Sequence, residues 1–453
     1  MASDPVANHD RVFSVPDALT SLASELPPET VRIAERTDGN IDGASPSLHV
    51  HATRPDDVAA TLAICNRLGA VVAPRGGGTH LHIGTPPDHV DVVLDLRMLN
   101  RVIAYHPEDL TLAVAAGTRF TDIQQRLAES GQTLALDPRV EELSTIGGII
   151  ATNRSGPRRA RSGTARDVVI GLEVAGVNGA ITKSGGMVVK NVTGYDLSKA
   201  HIGALGTLGV ITRVNLKVMP TPTAEKTLVI PLRALAAAGA AVGSIVDLPI
   251  VCSGLDLIQR PLVSELASTC DWVLAVRIPG TTVGVDDQLV LAKTATAPQA
   301  IDETVTLEGL DQTRFWTNAD DLSRHPGNDE AQVTCRMSTL SSQVPSILSS
   351  AAEAAAALNL NTVASARAIA GITYVRATGP SNPSALIEFV QSLRASAEHF
   401  GGTLVIESAP LIVKQSAGVW GAKNESTEIE IMERLRTAFD PGRILNRGRF
   451  VVA

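Results

Sequence analysis

Three stretches of this chain combine residue types able to do chemistry. The sharpest is Pro74-Arg75-Gly76-Gly77-Gly78-Thr79-His80. Three consecutive glycines remove every Cβ, so the backbone can take positive φ and aim successive N–H groups into one concavity. Such a nest suits a pyrophosphate, and Arg75 beside it could neutralise one. The run is not the dinucleotide fingerprint, because Leu81 stands at the third required glycine. There is no Walker sequence either, since Thr182 rather than glycine precedes Lys183-Ser184. The second stretch is Ser144-Thr145-Ile146-Gly147-Gly148, followed by Ala151-Thr152-Asn153 and Ser155-Gly156. Its small residues let backbone and hydroxyls come close to a ligand. The third runs from Lys190-Asn191 through Thr193-Gly194-Tyr195-Asp196 to Gly203, Gly206 and Gly209. Any one of these is more often a turn than a site. Their occurrence in one region points to a shared ligand.

Other groups carry less. Arg154, Arg158, Arg159, Arg161 and Arg166 form a basic run that could dock an acidic partner or hold a phosphate; its plain reading is a solvated loop. Lys190 and Asn191 could hydrogen-bond a cofactor ring or a substrate carboxylate, or merely tie a turn. Tyr195 offers a phenol that could orient substrate or pack under a ring. His49 and His51, and His80 and His82, alternate in pairs, but uncharged structural histidines are far commoner than ligands. Cys65, Cys252, Cys270 and Cys335 form no CxxC pair, so this chain alone holds no zinc ribbon or iron–sulfur cluster, and they read as reduced thiols. No metal site is expected.

These residues need positioning. Ser47–Thr53 alternates as a strand. Pro55 then opens helical spacing through Val58, Leu62 and Cys65, and Gly69 stands where a C′ glycine would end the helix. Val71–Ala73 reads as a short buried strand, giving a βαβ start that runs into the glycine loop. Strands are also expected at 91–96, 101–105, 110–115, 168–177, 181–184 and 210–218, with a helix over 121–129. Pro220-Thr-Pro-Thr is the best linker candidate. Beyond it the chain is rich in Ala, Leu and Thr, with an Ala-dominated helix at 351–358, a strand at 404–406 and a charged helix at 425–438.

The whole chain bounds the function. Its 453 residues suggest two to four domains. With 39 Lys+Arg against 47 Asp+Glu the net charge is −8, which argues against broad nucleic-acid binding. Aromatics at 3% leave little for base stacking. The first residues carry acidic groups and no apolar core, so no secretory signal is read there. The longest apolar stretch, Leu235 to Val251, is cut by Asp247 and Pro249, so no transmembrane segment is expected and the protein reads as cytoplasmic.

Together the three stretches resemble the FAD-binding domain of the vanillyl-alcohol oxidase/PCMH flavoprotein superfamily. A narrower resemblance rests on Gly185-Gly186-Met187-Val188-Val189-Lys190-Asn191-Val192-Thr193-Gly194-Tyr195-Asp196 and on Phe439-Asp440-Pro441-Gly442-Arg443-Ile444-Leu445-Asn446 with Gly448-Arg449-Phe450. These resemble the FAD-binding (E) subunit of glycolate oxidase, with Arg447 in place of a proline. The resemblance implies an α+β fold: a PCMH-type FAD-binding domain of two subdomains plus a C-terminal antiparallel-sheet cap. It implies an N-terminal arm over 1–44, the FAD-binding domain over 45–222, the cap over 223–408 and a segment over 409–453 that returns to the FAD domain.

Carried across residue by residue, cofactor contacts fall on Pro74, Arg75, Gly76, Gly77, Gly78, Thr79, His80, Pro138, Ser144, Thr145, Gly147, Gly148, Ala151, Thr152, Asn153, Ser155, Gly156, Arg166, Val210 and Ile211. Thr79 stands where covalent members carry their histidine, which implies non-covalent FAD. The metal and substrate motifs of the related hydroxyacid dehydrogenases are missing; Glu407-Ser408 stands near one without its histidine, and catalytic residues stay unknown beyond Lys190, Asn191 and Tyr195. The implied activity is oxidation of a small 2-hydroxyacid of the glycolate/D-lactate class. The implied partners are a second FAD-containing subunit and an iron–sulfur subunit, with membrane association through them. The alternatives are a non-catalytic assembly subunit and a stand-alone FAD-dependent oxidoreductase.

Overall fold

The structure, a computed structural model, describes Leu22, residues 24–33 and residues 40–452 apart from 139–141, 189–193, 233, 264–269, 321, 323–331, 380–381 and 422–425. Three sheets carry the architecture. The first holds β1 (Val31–Ile33), β2 (Leu48–His51), β3 (Val72–Arg75) and β4 (Val92–Asp95) in the order β1-β2-β4-β3. The helix Pro55–Leu68 crosses between β2 and β3. Proline occupies its first turn, Asp57 caps the backbone N–H groups of Thr53 and Arg54, and Gly69 ends it at φ 71°. The expected βαβ unit is present with one difference. β4 inserts between β2 and β3 and pairs parallel with both, an insertion that local spacing cannot encode.

The second sheet is antiparallel, with β5 (Val102–His106), β6 (Thr111–Ala115), β8 (Val169–Ala175), β9 (Ile181–Gly185) and β10 (Val210–Lys217) in the order β5-β6-β10-β8-β9. The helices Phe120–Ala128 and Ile146–Thr152 bury Ile123, Leu127, Ile146 and Ile150 on it. A small ribbon of β7 (Gln132–Thr133) and β11 (Met219–Pro220) lies at the exit toward the third sheet.

That third sheet has eight antiparallel strands: β12 (Ala224–Leu232), β13 (Gly254–Gln259), β14 (Trp272–Gly280), β15 (Val305–Leu307), β16 (Gln332–Ser338), β17 (Asn361–Arg367), β18 (Ile372–Thr378) and β19 (Thr403–Ser408). Their order is β15-β12-β14-β13-β17-β18-β16-β19. Strand alternation gives it two unlike faces. Leu228, Ile230, Leu255, Leu257, Leu274 and Val276 meet the helices Leu235–Val246, Thr282–Thr296, Val344–Ala357 and Pro383–His399. The other face carries Glu225, Asp256, Arg277, Arg336, Arg367 and Tyr374 and is turned toward the first two sheets through the short helix Arg159–Ser162. Charge on a buried sheet face is costly unless paired, so this layer is the place to look for function.

The segment after β19 comes back to the first sheet. Val72 N–H donates to Ile444 O (2.8 Å) and Asn446 N–H to Val72 O (2.9 Å), which adds Leu445 beside β3 as a parallel bridge. The apolar stretch from Leu235 forms a helix only to Val246, and among the described residues no helix is long and apolar enough to cross a membrane.

Candidate functional site

β3 delivers the chain into the glycine loop, and only Gly78 there takes positive φ, at 79°. Positive φ is therefore required at one of the three glycines. Gly76 and Gly77 answer to crowding: a Cβ on Gly76 would lie 2.1 Å from Thr145 Oγ1, and one on Gly77 would lie 1.7 Å from the Leu143 carbonyl oxygen. The N–H groups of Gly76, Gly77, Gly78 and Thr79 donate to no other described residue. The Arg75 side chain tucks beneath Gly78, and its Nε is buried without a partner.

Opposite the loop, Thr145 caps Ile146–Thr152 by accepting from Gly148 N–H (3.4 Å). Between them opens a cleft of about 600 Å³, lined by Gly76 to Leu81, Ile83, Thr145, Gly148 to Thr152 except Ile150, Leu205, Asn446 and Arg449. It continues into a second space of about 490 Å³ along Leu96, Ala116, Gly147, His201, Gly206 and Gly209 to Ile211. The two share Pro74, Gly76, Thr145, Gly148, Ala151 and Leu205.

Of the residues singled out from the sequence, this cleft gathers Pro74, Gly76, Gly77, Gly78, Thr79, His80, Thr145, Gly147, Gly148, Ala151, Thr152, Val210 and Ile211. Arg75 and Ser144 stand directly behind its lining; the Ser144 hydroxyl is 3.4 Å from that of Thr79. Asn153 closes the helix at φ 48° with Oδ1 buried and unpartnered. Gly156 lies against the Asp137 carbonyl, outside the cleft lining, as do Pro138 and Ser155. Arg166 is exposed and donates to Lys199 O (3.2 Å). Tyr195 is 93% exposed and packs under no ring, and Lys190 and Asn191 lie outside the described residues.

Sequence reasoning missed several lining residues, among them Asn446, Arg449, Leu205 and His201. Asn446 donates to Leu205 O (2.5 Å), and Arg449 donates to the carbonyls of Leu81 and Ile83 and lies 3.4 Å from Asp42. The buried Lys414 binds the same Asp42 (3.0 Å) and His82 O (2.5 Å). The Asn446 and Arg449 positions belong to a recognised terminal motif, yet no local signal says that it reaches the glycine loop. Leu205 and His201 had no signal beyond nearby glycines. Burial pushes His201 down to about 4, so it faces the cleft uncharged.

The basic run is not a solvated loop, and this corrects the plain reading. Arg154 pairs with Glu407, whose other oxygen takes Arg336 Nε at 2.7 Å. Arg158 reaches Glu225 at 2.8 Å, which also takes Arg277 and Gln312. Only Arg161 and Arg166 keep to the surface. Burial would raise the Glu407 carboxyl, but Arg154 and Arg336 outweigh it and hold it down at about 2. Burial, then Arg154, presses His80 down to about 3, so it is neutral with Nδ1 2.9 Å from the Thr79 hydroxyl. Arg367 pairs with Asp320 and stacks on Tyr374 at 4.9 Å. Among the described residues no group of three or more His, Cys, Asp or Glu could hold a metal ion.

Residues 46–198, which carry β2 to β9, match the family described as FAD binding domain. This is an FAD domain. Its cleft fits the cofactor, because unengaged N–H groups on a loop without Cβ atoms face the space, and Arg75 lies behind them. Glycolate oxidase subunit GlcD of Bacillus subtilis is 35% identical over 206 residues, 46% of this chain and 44% of the relative. Glycolate oxidase subunit GlcE of Escherichia coli is 36% identical over 155 residues, 34% of this chain and 44% of the relative. The chain thus spans less than half the length of either. The fold is shared over nearly the whole chain. p-Cresol methylhydroxylase superposes with a TM-score of 0.72 over 96% of both chains at 16% identity. The antiparallel third sheet is part of that shared fold.

Proposed function

We propose that this chain is an FAD-binding subunit of a glycolate oxidase-type complex. It oxidises a 2-hydroxyacid of the glycolate/D-lactate class and passes the electrons to an iron–sulfur partner, beside a second FAD-containing subunit. The cap of 223–408 closes over the FAD domain of 45–222, the segment 409–453 completes it, and the assembly is cytoplasmic, meeting the membrane through partners.

The observation that carries the reading is Arg159. It is half-buried between the FAD domain and the third sheet, its hydrogen bond goes to Ser155 Oγ (3.2 Å), and no carboxylate among the described residues lies in ion-pair reach. Burial first, then Arg367 and Arg336, disfavour its charge. A guanidinium among guanidiniums is satisfied by an incoming anion, and a substrate carboxylate matches its fork. Glu407 cannot serve, being occupied by two arginines.

The glycine loop and Arg75 would hold the pyrophosphate, and Thr145 with Ala151 and Thr152 would line the cofactor. Attachment is non-covalent, with Thr79 after the glycines. When bound, FAD supplies a two-electron acceptor for the carbon-bound hydrogen of the substrate. His80, neutral and tied to Thr79, and Arg154 would stand at the junction of cofactor and substrate spaces. The names of the two relatives and the segment Gly185–Asp196 favour the complex over a single-chain oxidase.

The test is an anaerobic visible spectrum of the purified chain before and after glycolate or D-lactate. A flavin spectrum that bleaches upholds the reading. A flavin that stays oxidised with both acids, alone and with the co-expressed partners, overturns it.

A further inference from the structure

We infer that Asp256 is the proton acceptor for the hydroxyl of the oxidised alcohol, an inference that rests on the hydroxyacid reading above. Removing a hydride from C2 of a 2-hydroxyacid leaves a protonated carbonyl unless the O–H proton departs with it. A base must stand within hydrogen-bond reach, directly or through one water.

Asp256 lies in the middle of β13, and strand alternation sends Leu255 and Leu257 into the helix-side core and Asp256 to the face against Arg159–Ser162. It is 3% exposed, yet its Oδ1 has no hydrogen-bond partner. The Nε of Arg367, its direct neighbour on β17, is likewise buried and unpartnered. These two atoms, on register-paired residues of adjacent strands, call for a polar partner that the described residues do not supply. Every packed element contributes a charge: Arg367 from β17, Arg277 from β14, Asp320 from the end of the helix Gly309–Ala319 and Asp137 from ahead of Ile146–Thr152. Burial is the largest influence; with Asp320 and Asp137 it outweighs the two arginines and raises the carboxyl to about 7.

The other carboxylates of this layer are engaged. His80 shares its Nδ1 with Thr79, and His201, its own Nδ1 buried and unpartnered, lines the cofactor cleft edge-on to Phe439 rather than the third-sheet face. Asp137 accepts Arg158 N–H at 2.9 Å, and Glu407 and Glu225 each take two arginines. With bound FAD supplying the acceptor for the C2 hydrogen and its electron pair, Asp256 would take the hydroxyl proton, which leaves the 2-oxoacid. Asp256 returns its proton to solvent before the next turnover.

The experiment compares wild type with Asp256→Asn, each loaded with FAD. Anaerobic flavin reduction by the active hydroxyacid should slow by about 10²- to 10⁴-fold, the span of general-base losses, and the wild-type rise in rate through pH 7 should vanish. A second readout is binding of unreactive oxalate, followed by the flavin absorbance shift. It should weaken in wild type as pH rises through 7, when Asp256 becomes a second anion beside the ligand, and stay level in the variant. Should Asp256→Asn not retain flavin, the wild-type oxalate titration decides: an affinity flat across pH 7 overturns the assignment, and a falling one upholds it. A variant that bleaches at the wild-type rate with the same pH profile refutes Asp256 alone. A wild type bleached by no hydroxyacid refutes the underlying reading and the assignment with it.

Discussion

Glu407 is where the FAD domain and the third sheet share a charge, and Glu407→Gln isolates that charge while keeping the shape. The carboxyl drops from an ordinary 4.5 to about 2 on folding. At about 1.36 kcal/mol per unit, that difference is roughly 3.4 kcal/mol in favour of the folded state at neutral pH. The sign follows from linkage. A group depressed in the folded protein contributes fully above its unfolded value and loses that contribution as pH falls toward its folded value. Glu407→Gln should therefore cost about 3 kcal/mol at pH 7, in the range for breaking a buried ion pair from one side. The gap should shrink to about half near pH 3. Urea unfolding of both proteins across this range, followed by tryptophan fluorescence and circular dichroism, measures it. A loss under about 1 kcal/mol at pH 7, or a loss independent of pH, would refute the placement of Glu407 between two buried guanidiniums.

Four further outcomes are expected. Gly77→Ala places a methyl 1.7 Å from the Leu143 carbonyl and should purify with little flavin, while Gly186→Ala, with open space around it, should keep a full complement; absorbance per chain separates them. Arg449→Ala leaves the carbonyls of Leu81 and Ile83 without their donor and should release FAD at least about tenfold more readily, read by flavin fluorescence on dilution. Arg159→Ala should weaken oxalate binding by about 10- to 100-fold with flavin content unchanged, by titration of the flavin band. Asp256→Asn should stabilise the protein. The carboxyl is raised from 3.8 to about 7, so the wild-type penalty is absent below the lower value and complete, at about 4 kcal/mol, above the higher. A thermal midpoint for the variant that is no higher at pH 8 would count against a desolvated Asp256.

How much of this was legible follows from how local each cause is. The helix Pro55–Leu68 was readable because its period, its proline start and its Gly69 stop all lie within fifteen residues of one another. The glycine loop was legible as a ligand cradle, but the reason for two of its glycines was not, since Thr145 and the Leu143 carbonyl arrive from elsewhere in the chain. The arginine run was misread for the same reason. Arg158 finds Glu225 67 positions away and Arg154 finds Glu407 253 positions away, so no local pattern distinguishes a solvated loop from a buried ionic layer. Asp256 gave no signal at all: one acid in an apolar strand gains meaning only once Arg367 stands beside it. The Lys190-Asn191 segment is outside the described residues.

The bond from Arg449 to Leu81 joins positions 368 residues apart, with Asn446 and Lys414 reaching back beside it. On a ribosome adding about 5–20 residues per second, roughly 20–75 seconds separate the two partners. During that interval the glycine loop, its strands and its capped helix can already be folded. The carbonyls of Leu81, His82, Ile83 and Leu205 must meanwhile be satisfied by water. Capture of flavin is thus expected late in the birth of each molecule, and a chain stopped short of Asn446 should emerge with its glycine loop formed but little flavin bound.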